Sequence, residues 1–214
     1  MRSYRQYCWL ARGLDVIGDR WVLLVVRELL PGPRRYGELL DGLPGMATNL
    51  LTERLRAMEA DGLVTRDGDR YALTERGDAL RAVLFAIGEW AAPLMGPQEP
   101  DEAFRSHWIE YPMTALFPGE DRSRPDLTIE VRCGERPMTV RSADGRVHVE
   151  PGPAAAPDLV LTGPPDAVLG LFTHRLTVDE AKARGLAVTG DARPLRRLRP
   201  NAAGRPAARQ DDNR

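Results

Sequence analysis

The stretch of residues 48–62, TNLLTERLRAMEADG, carries the clearest pattern in the chain and decides how its first half folds. Leu51, Leu55 and Met58 recur at the spacing of an amphipathic helix and form one apolar face. Because successive residues turn an α-helix by about 100°, the polar side chains fall on the other side. These polar residues are Asn49, Thr52, Glu53 and Arg56. The stretch therefore predicts a helix with one face for packing and one face for contact with solvent or a partner.

The polar face of this helix has two interpretations. Amide, hydroxyl, carboxylate and guanidinium groups near a helix N-terminus can read base edges in a DNA major groove. Most amphipathic helices instead expose such groups only to water. The elements on either side of the helix in the sequence discriminate between these two interpretations.

Three helices are predicted before this stretch. Residues 4–17 form a short helix, and residues 20–30 form a second one that is apolar on nearly every side, which is typical of a central buried helix. Asp19 is expected to cap the second helix, because its carboxylate can accept from the free amides of a first turn. Pro31-Gly32-Pro33 ends that helix, and a third short helix covers residues 36–43.

A hairpin and a long helix are predicted after the stretch. Residues 63–66 and 69–73 are short strand-like runs around Asp67-Gly68, a strong hairpin signal. Thr74 then caps a helix with apolar residues at helical spacing that ends near Leu94. Three helices, the amphipathic helix and a hairpin in this order are typical of a winged helix-turn-helix domain, in which the amphipathic helix enters the major groove.

Residues 7–96 closely resemble the HxlR family of bacterial transcription regulators. The motifs that carry the resemblance are Cys8, LDVIGDRW at 14–21, RELL at 27–30, GPRRY at 32–36, NLLTERL at 49–55 and YALT at 71–74. The resemblance implies a homodimer that binds double-stranded operator DNA, with the terminal helices of this domain forming the dimer.

The candidates for base contacts lie on the polar face of the amphipathic helix. Asn49 can pair bidentately with adenine and Arg56 with guanine, and Thr52 lies between them. Family members often have Ser-Pro where this chain has Ala47-Thr48. The expected helix cap therefore moves to Thr48, and it stays open which of Thr48 and Asn49 faces the bases.

Other charged residues of this region have positioning or structural roles. Glu53 either accepts from cytosine or stabilises its helix through the helix dipole. Arg54 lies toward the buried flank, which predicts a structural pairing with an acidic neighbour. The remaining arginines are candidates for phosphate contacts, which position a protein without reading sequence, or are ordinary solvated side chains. They are Arg34, Arg35, Arg66 and Arg70.

Cys8 is a candidate redox sensor. In some HxlR-type regulators a cysteine at this position senses oxidants or electrophiles. Arg5 and Arg12 could stabilise a thiolate here, which a reactive cysteine requires. Trp9 and Leu10 make the same segment apolar, however, and free cysteine is often simply buried. Both interpretations stay open.

The second half begins after a Pro-rich linker at residues 97–100, which predicts a domain boundary at residues 97–98. Residues 101–117 are predicted to form a helix with Phe104, Trp108 and Leu116 as apolar anchors and a kink at Pro112. Alternating patterns then predict several strands, and helical patterns follow. The strands are 127–133, 138–141, 147–150, 158–162 and 186–189, with a hairpin turn at Asp144-Gly145, and the helices are 165–173, 178–184 and 192–199.

This half resembles the sterol carrier protein type two domain. The resemblance rests on residues 158–163 (DLVLTG), 166–169 (DAVL), 177–185 and 188–191 (VTGD). It implies an apolar tunnel between sheet and helices that takes a lipid or another hydrophobic molecule. The candidates for lining a pocket, each of which could equally fill the core, are Trp108, Met113, Leu169, Phe172 and Leu176.

Composition limits the other function classes. The net charge of -1 argues against a generally basic nucleic-acid binder but allows a local basic patch. Two cysteines fit a reducing compartment without a disulfide framework. The sequence has no signal segment and no run of about 18 apolar residues, so a cytoplasmic protein without membrane partners is expected. No catalytic constellation, cofactor motif or metal-ligand spacing is recognisable.

The predicted fold class is α+β. Residues 1–97 form a winged helix-turn-helix domain, mostly α with a β-hairpin wing, for DNA binding and dimerisation. Residues 98–200 form a sterol carrier-like sheet covered by helices, and the polar tail 201–214 is disordered. The expected function is a sequence-specific regulator, a repressor modulated by a small hydrophobic ligand. The alternatives are a redox regulator acting through Cys8 and a lipid-binding carrier with a vestigial wing.

Overall fold

The computed structural model of the chain describes residues 3–110, 113, 126–143, 146–173 and 175–197. Pro112, Leu116, the turn Asp144-Gly145 and the tail 201–214 lie outside the described residues. The chain divides into two compact units, Met1–Gly88 and Glu89–Arg214. This division after Gly88 falls nine residues before the predicted boundary at residues 97–98.

Four helices open the first unit. They are α1 (Trp9–Ile17), α2 (Val22–Leu29), α3 (Tyr36–Asp41) and α4 (Thr48–Ala60). Val25 and Val26 of α2 are completely buried, which confirms α2 as the central helix. Leu39 of α3 and Leu51 of α4 are also completely buried, so each helix that follows α2 contributes to the apolar core of this unit.

The predicted starts of the first two helices are wrong. Helix α1 begins at Trp9 rather than at residue 4, and α2 begins at Val22. Trp21 is the N-cap residue of α2, without a side-chain cap, and Asp19 does not cap the helix. The physical reason is a competing partner, because the Asp19 carboxylate accepts a hydrogen bond from Arg54 Nη1 on α4.

The wing has three strands. The predicted hairpin is confirmed as β2 (Val64–Asp67) and β3 (Arg70–Leu73), with Asp67 opposite Arg70. Gly68 in the turn has φ of +60°, a conformation that L side chains rarely adopt. The short strand β1 (Arg34–Arg35) pairs with β3, so the sheet order is β1-β3-β2. A strand of two residues has too little periodicity to be recognised in a sequence.

The long helix predicted after Thr74 is divided. Thr74 Oγ1 accepts from the Gly77 amide at 3.1 Å, which confirms the predicted cap. The helical segments are α5 (Glu75–Asp78), α6 (Arg81–Ala91) and a 3₁₀ turn at Ala92–Leu94. Thr74 Oγ1 also donates to the Gly62 carbonyl at 2.6 Å, and a Cβ at Gly77 would lie 2.0 Å from the Leu63 carbonyl oxygen. The first turn is thus held against the chain before β2, and the longer helix restarts at Arg81.

The second unit is built on a five-stranded sheet of order β6-β5-β4-β7-β8. Its elements are β4 (Leu127–Arg132), β5 (Pro137–Ala143), β6 (Arg146–Pro151), β7 (Leu159–Thr162), α7 (Pro165–Phe172), α8 (Val178–Ala183) and β8 (Ala187–Gly190). Neighbouring strands are antiparallel except for β4 and β7, which pair in parallel. These elements confirm the predicted mixed α and β content and the predicted strands.

One face of this sheet forms the core of the second unit. Ile129 and Val131 of β4 and Leu161 of β7 are buried in one cluster with Val168 of α7 and Ala181 of α8. The alternation of β4 is confirmed, since its apolar side chains point toward the two helices. The predicted layer of helices on a sheet is therefore present.

Two predicted helices of the second unit begin differently from the expectation within the described residues. Within the described part of residues 101–117, a 3₁₀ turn covers Ser106–Ile109. Ser106 is buried, and its hydroxyl donates to the Cys133 carbonyl at 2.9 Å, which holds this turn against the chain directly after β4. Within the described part of residues 192–199, a 3₁₀ turn covers Arg193–Arg197, in which Pro194 lacks a backbone amide. Among the described residues, no helix has the length and apolar character needed to cross a membrane.

Candidate nucleic-acid interface

Helix α4 separates its two faces as the sequence predicted. Leu51, Leu55 and Met58 are buried against the core of the first unit. The side chains on the opposite face reach solvent. Thr48, Asn49, Glu53 and Arg56 are exposed, and Thr52 is half-buried. The side chains expected to contact bases are thus brought together on one accessible stripe.

The N-terminus of α4 differs from the expectation. Ala47 is the N-cap residue and makes no side-chain cap, while Thr48 is the first residue of the helix. The prediction that Thr48 caps the helix is therefore wrong, since its backbone is already helical. The side chains of Thr48 and Asn49 both remain exposed at the first turn. Free amides at such a turn also favour a nearby anion such as a phosphate.

Tyr36 holds this first turn from outside the helix. Its hydroxyl donates to the Thr48 carbonyl oxygen at 2.6 Å and lies 3.2 Å from Thr52 Oγ1. Thr52 Oγ1 in turn donates to the Thr48 carbonyl at 3.1 Å. Sequence reasoning did not assign Tyr36 a role at the interface. The available signal was a tyrosine directly after Arg35 at the start of α3.

Arg54 has the structural role that the sequence predicted. Its Nη1 donates to the Asp19 carboxylate ahead of α2, and its side chain is largely buried. This ion pair ties α4 to the segment between α1 and α2. A second set of contacts joins α2 to the C-terminal end of α3. Arg27 on α2 donates through Nη2 to the Gly42 carbonyl at 3.2 Å and through Nε to Glu28 at 2.9 Å.

Three wing arginines are each held by an oxygen of the protein. Arg35 Nε donates to Asp69 Oδ2 at 2.6 Å. Arg66 Nε donates to the Gly68 carbonyl at 3.0 Å, and its guanidinium lies 5.4 Å from the centre of the Tyr71 ring. Arg70 Nη1 donates to the Pro33 carbonyl at 3.3 Å. These contacts orient the side chains at the surface, where Arg35, Arg66 and Arg70 are all exposed.

Acidic groups accompany these arginines. The hydrogen bond from Arg35 lowers the pKa of Asp69. The backbone amide of Arg35 donates to Glu38 Oε2 at 2.6 Å and lowers the pKa of that carboxyl. A carboxylate with a pKa lowered by folding stabilises the fold above its unfolded pKa, and this contribution is lost as pH falls through the folded pKa. The wing is therefore charged in both signs at neutral pH.

The N-terminal segment exposes large apolar side chains. Tyr7 and Trp9 are 107% and 88% exposed, and Leu10 is 56% exposed. Cys8 lies between them, is exposed and occupies the N-cap position of α1. Cys133 differs from it, since Cys133 is buried directly after β4 and burial raises the pKa of its thiol to about 12.

The residues proposed to line a pocket in the second unit are packed to different extents. Met113 and Phe172 are buried in its core. Leu169 and Leu176 are partly buried and pack against that core. Trp108 is half-buried, with its ring edge-to-face with Phe104 at a centroid distance of 6.2 Å.

A helix-turn-helix, a three-stranded wing and an exposed polar face on α4 define the class of the first unit as a winged helix-turn-helix protein.

Comparison with known sequences identifies the family. The profile of the HxlR-like helix-turn-helix family matches residues 16–99. The HTH-type transcriptional regulator YvaP of Bacillus subtilis is 36% identical over 93 residues, which cover 40% of this chain and 86% of YvaP. The regulator Mb3122 of Mycobacterium bovis is 35% identical over 150 residues, which cover 66% of this chain and 84% of Mb3122. The chain belongs to the HxlR family and is a DNA-binding transcriptional regulator.

Other similarities are less extensive. The HTH-type regulator sll1512 of Synechocystis is 41% identical over 87 residues, and the chain spans 64% of its length. The crystal structure of quinone-bound YodB from B. subtilis is 33% identical, covers 39% of this chain and 96% of YodB, and has a TM-score of 0.38. The family assignment rests on the sequence matches and not on this structural likeness.

Proposed function

We propose that the protein binds a specific operator as a homodimer and represses transcription. In this proposal, α4 of each copy enters a major groove, and the wing lies along the adjacent backbone. The observation that carries the proposal is the exposed polar stripe of α4, formed by Asn49, Glu53 and Arg56, on a helix whose other face is buried. Arg66 and Arg70, exposed on the wing that follows α4 in the chain, supply the positive charge that a DNA backbone attracts.

The interface side chains divide by chemistry. Asn49 and Arg56 carry groups that pair bidentately with adenine and guanine, so they read bases together with Thr48 and Thr52. The arginines that surround the helix contact phosphates and set the register. These are Arg34, Arg35, Arg66 and Arg70.

Apolar side chains at both ends of the first unit support a homodimer. Tyr7, Trp9 and Leu10 are exposed at α1, and Val83 and Ile87 are exposed on α6. Exposed apolar groups of this size commonly mark a protein interface. A two-fold dimer formed through them would present two α4 helices to half-sites separated by about 34 Å, one turn of DNA.

The second unit is proposed to be a sterol carrier-like domain that binds a small hydrophobic effector. Its sheet carries α7 and α8 on one face, and Leu169 and Leu176 are only partly buried at the edge of that core. A ligand that prefers one dimer geometry would shift the separation of the α4 helices. Thermal shift with a panel of hydrophobic compounds tests this part, since a bound molecule raises the melting temperature.

Redox sensing at Cys8 is the second candidate, because this thiol is exposed while Cys133 is buried. The regulator YodB, 33% identical over 90 residues, has been crystallised with a bound quinone. Peroxide or a quinone is expected to weaken operator binding by the wild type and by Cys133→Ser, but not by Cys8→Ser. Equal DNA affinity of treated and untreated wild-type protein would exclude this mechanism.

The principal test combines two measurements on the full chain. Sedimentation equilibrium is expected to give a dimer, and selection from a randomised duplex library is expected to give a two-fold symmetric motif. A monomer, or retention of DNA without sequence preference, would contradict the proposal. Transfer of lipid between vesicles together with absent sequence preference would favour the remaining alternative, a lipid carrier with a vestigial wing.

A further inference from the structure

Glu53 is the acidic member of the exposed stripe on α4, between Asn49 and Arg56. Among the described residues, its side chain makes no hydrogen bond or ion pair, and it is exposed. Arg56 follows it by three residues, a spacing at which opposite charges on a helix commonly pair. The two side chains are nevertheless not paired, so the carboxylate of Glu53 stands on the stripe with its negative charge uncompensated.

The position of Glu53 does not suit a role in stabilising its own helix. Helix α4 begins at Thr48, so Glu53 is its sixth residue, and no acidic residue lies in the first turn. The favourable interaction of a carboxylate with the helix dipole falls off within that first turn. Helix stability therefore does not account for the carboxylate, and its effect on a bound DNA is the remaining question.

An unpaired carboxylate on a face that meets DNA has a definite chemical requirement. The phosphate backbone is strongly negative, so an acidic side chain beside it lowers affinity for every sequence. An ionised carboxylate only accepts hydrogen bonds, and when it loses water in a groove it needs a donor in exchange. The donors in the major groove are N4 of cytosine and N6 of adenine, whereas the polar groups of guanine and thymine there are acceptors.

We propose that Glu53 is a specificity-determining residue that accepts a hydrogen bond from the N4 amino group of cytosine. Adenine fits less well, because its N7 acceptor lies beside N6 and would face the second carboxylate oxygen. At any other base the carboxylate loses water without gaining a donor, so Glu53 acts mainly by rejecting wrong sequences. This inference rests on the proposed function of α4 and specifies one column of its operator.

The direct test is Glu53→Gln, which removes the charge and keeps the size of the side chain. Glutamine donates as well as accepts, so it tolerates guanine and thymine. In randomised-site selection with the full chain, the preference for cytosine in one column is expected to fall from about tenfold to less than about threefold. Affinity for unrelated DNA is expected to rise, because a negative charge beside the backbone is lost.

Glu59→Gln is the matched control. Glu59 lies on the same helix, is half-buried and follows the buried Leu55 by four residues, which places it away from the stripe. This variant loses the same charge and is expected to select the wild-type motif in every column. Relaxation of the same column by both variants would overturn the inference, because the overall charge of α4 would then be the cause.

A second background separates direct reading by Glu53 from an action through Arg56. If Glu53 only oriented Arg56 on the DNA, Glu53→Gln would relax the column read by Arg56 and would change nothing further in Arg56→Ala protein. We expect it to relax a separate cytosine column in both backgrounds.

Three results would overturn the inference. They are a single column shared with Arg56, retention of the cytosine preference by Glu53→Gln, and a responding column that favours another base in the wild type. A wild-type protein that selects no motif would instead contradict the proposed function itself, which separates the two failures.

Discussion

Helix α4 and the wing differ in how their polar groups are held. Among the described residues, the side chains of Asn49 and Arg56 on α4 make no hydrogen bond or ion pair, and both are exposed. On the wing, Arg35, Arg66 and Arg70 each donate to a carboxylate or carbonyl oxygen of the protein. The side chains proposed to read bases are therefore not held by other groups of the protein, whereas those proposed to contact phosphates are oriented before DNA binds. Orientation before binding lowers the entropy lost on association.

The largest expected effect is a difference in stability between variants on the two faces of α4. Leu51→Ala removes a completely buried side chain and should lower the free energy of unfolding by about 3 kcal/mol. Asn49→Ala, two residues away on the exposed face, should leave unfolding unchanged and weaken only operator binding. Urea denaturation of both variants measures the difference. Comparable loss of stability in both variants would contradict the division of α4 into a packing face and a reading face.

Arg56→Ala tests the reading role of α4. Loss of one bidentate base contact should weaken operator binding by about tenfold or more and relax sequence choice at one base pair. Binding to unrelated DNA should change much less. Fluorescence anisotropy with the selected duplex and with substituted duplexes checks the result. An unchanged sequence preference would remove Arg56 from the base-contacting set.

Arg66→Ala tests the positioning role of the wing. A lost phosphate contact should weaken binding to all sequences by a similar factor and reduce the slope of log affinity against log salt by about one. Anisotropy titrations at several salt concentrations measure the slope. A change confined to one base pair would instead assign Arg66 to base reading and would erase the contrast between wing and helix.

The smallest expected effect concerns the two aspartates of the wing tip. Asp67→Asn and Asp69→Asn remove the same negative charge beside DNA, and each should strengthen binding. Asp69→Asn should strengthen it less, because Asp69 also holds Arg35 through a hydrogen bond of 2.6 Å. Side-by-side affinities at one salt concentration give the difference. Equal gains would show that the contact with Asp69 contributes nothing to the action of Arg35.

Local features were predictable from the sequence. The two faces of α4, the hairpin around Asp67-Gly68 and the cap at Thr74 are encoded by residues within a few positions of one another. Nearest-neighbour spacing is sufficient for such features, since helix and hairpin geometry fix which residues meet. The alternation of β4 was predictable for the same reason.

Long-range pairing was mostly beyond sequence reasoning. Asp19 looked like a cap because it precedes α2, but its carboxylate is taken by Arg54 on α4. The partner of Arg35 is Asp69, and the role of Tyr36 depends on a helix that begins well after it. Such contacts depend on how the elements pack, and a short polar residue has many partners of equal chemistry along the chain. The burial of the expected pocket residues also depends on how the elements pack. Phe172 is buried in the core of the second unit, while Leu176 is only partly buried.

The parallel pairing of β4 with β7 has a consequence for any shortened form of the protein. Strands β4, β5 and β6 follow one another along the chain and can form an antiparallel meander without the rest. Loss of the chain from Leu159 onward would leave the backbone amides and carbonyls on one side of β4 without their partners on β7. It would also uncover Ile129 and Val131, which are buried in the full chain. An unpaired apolar edge of this kind recruits other strands, so such a fragment should aggregate rather than persist as a small folded protein.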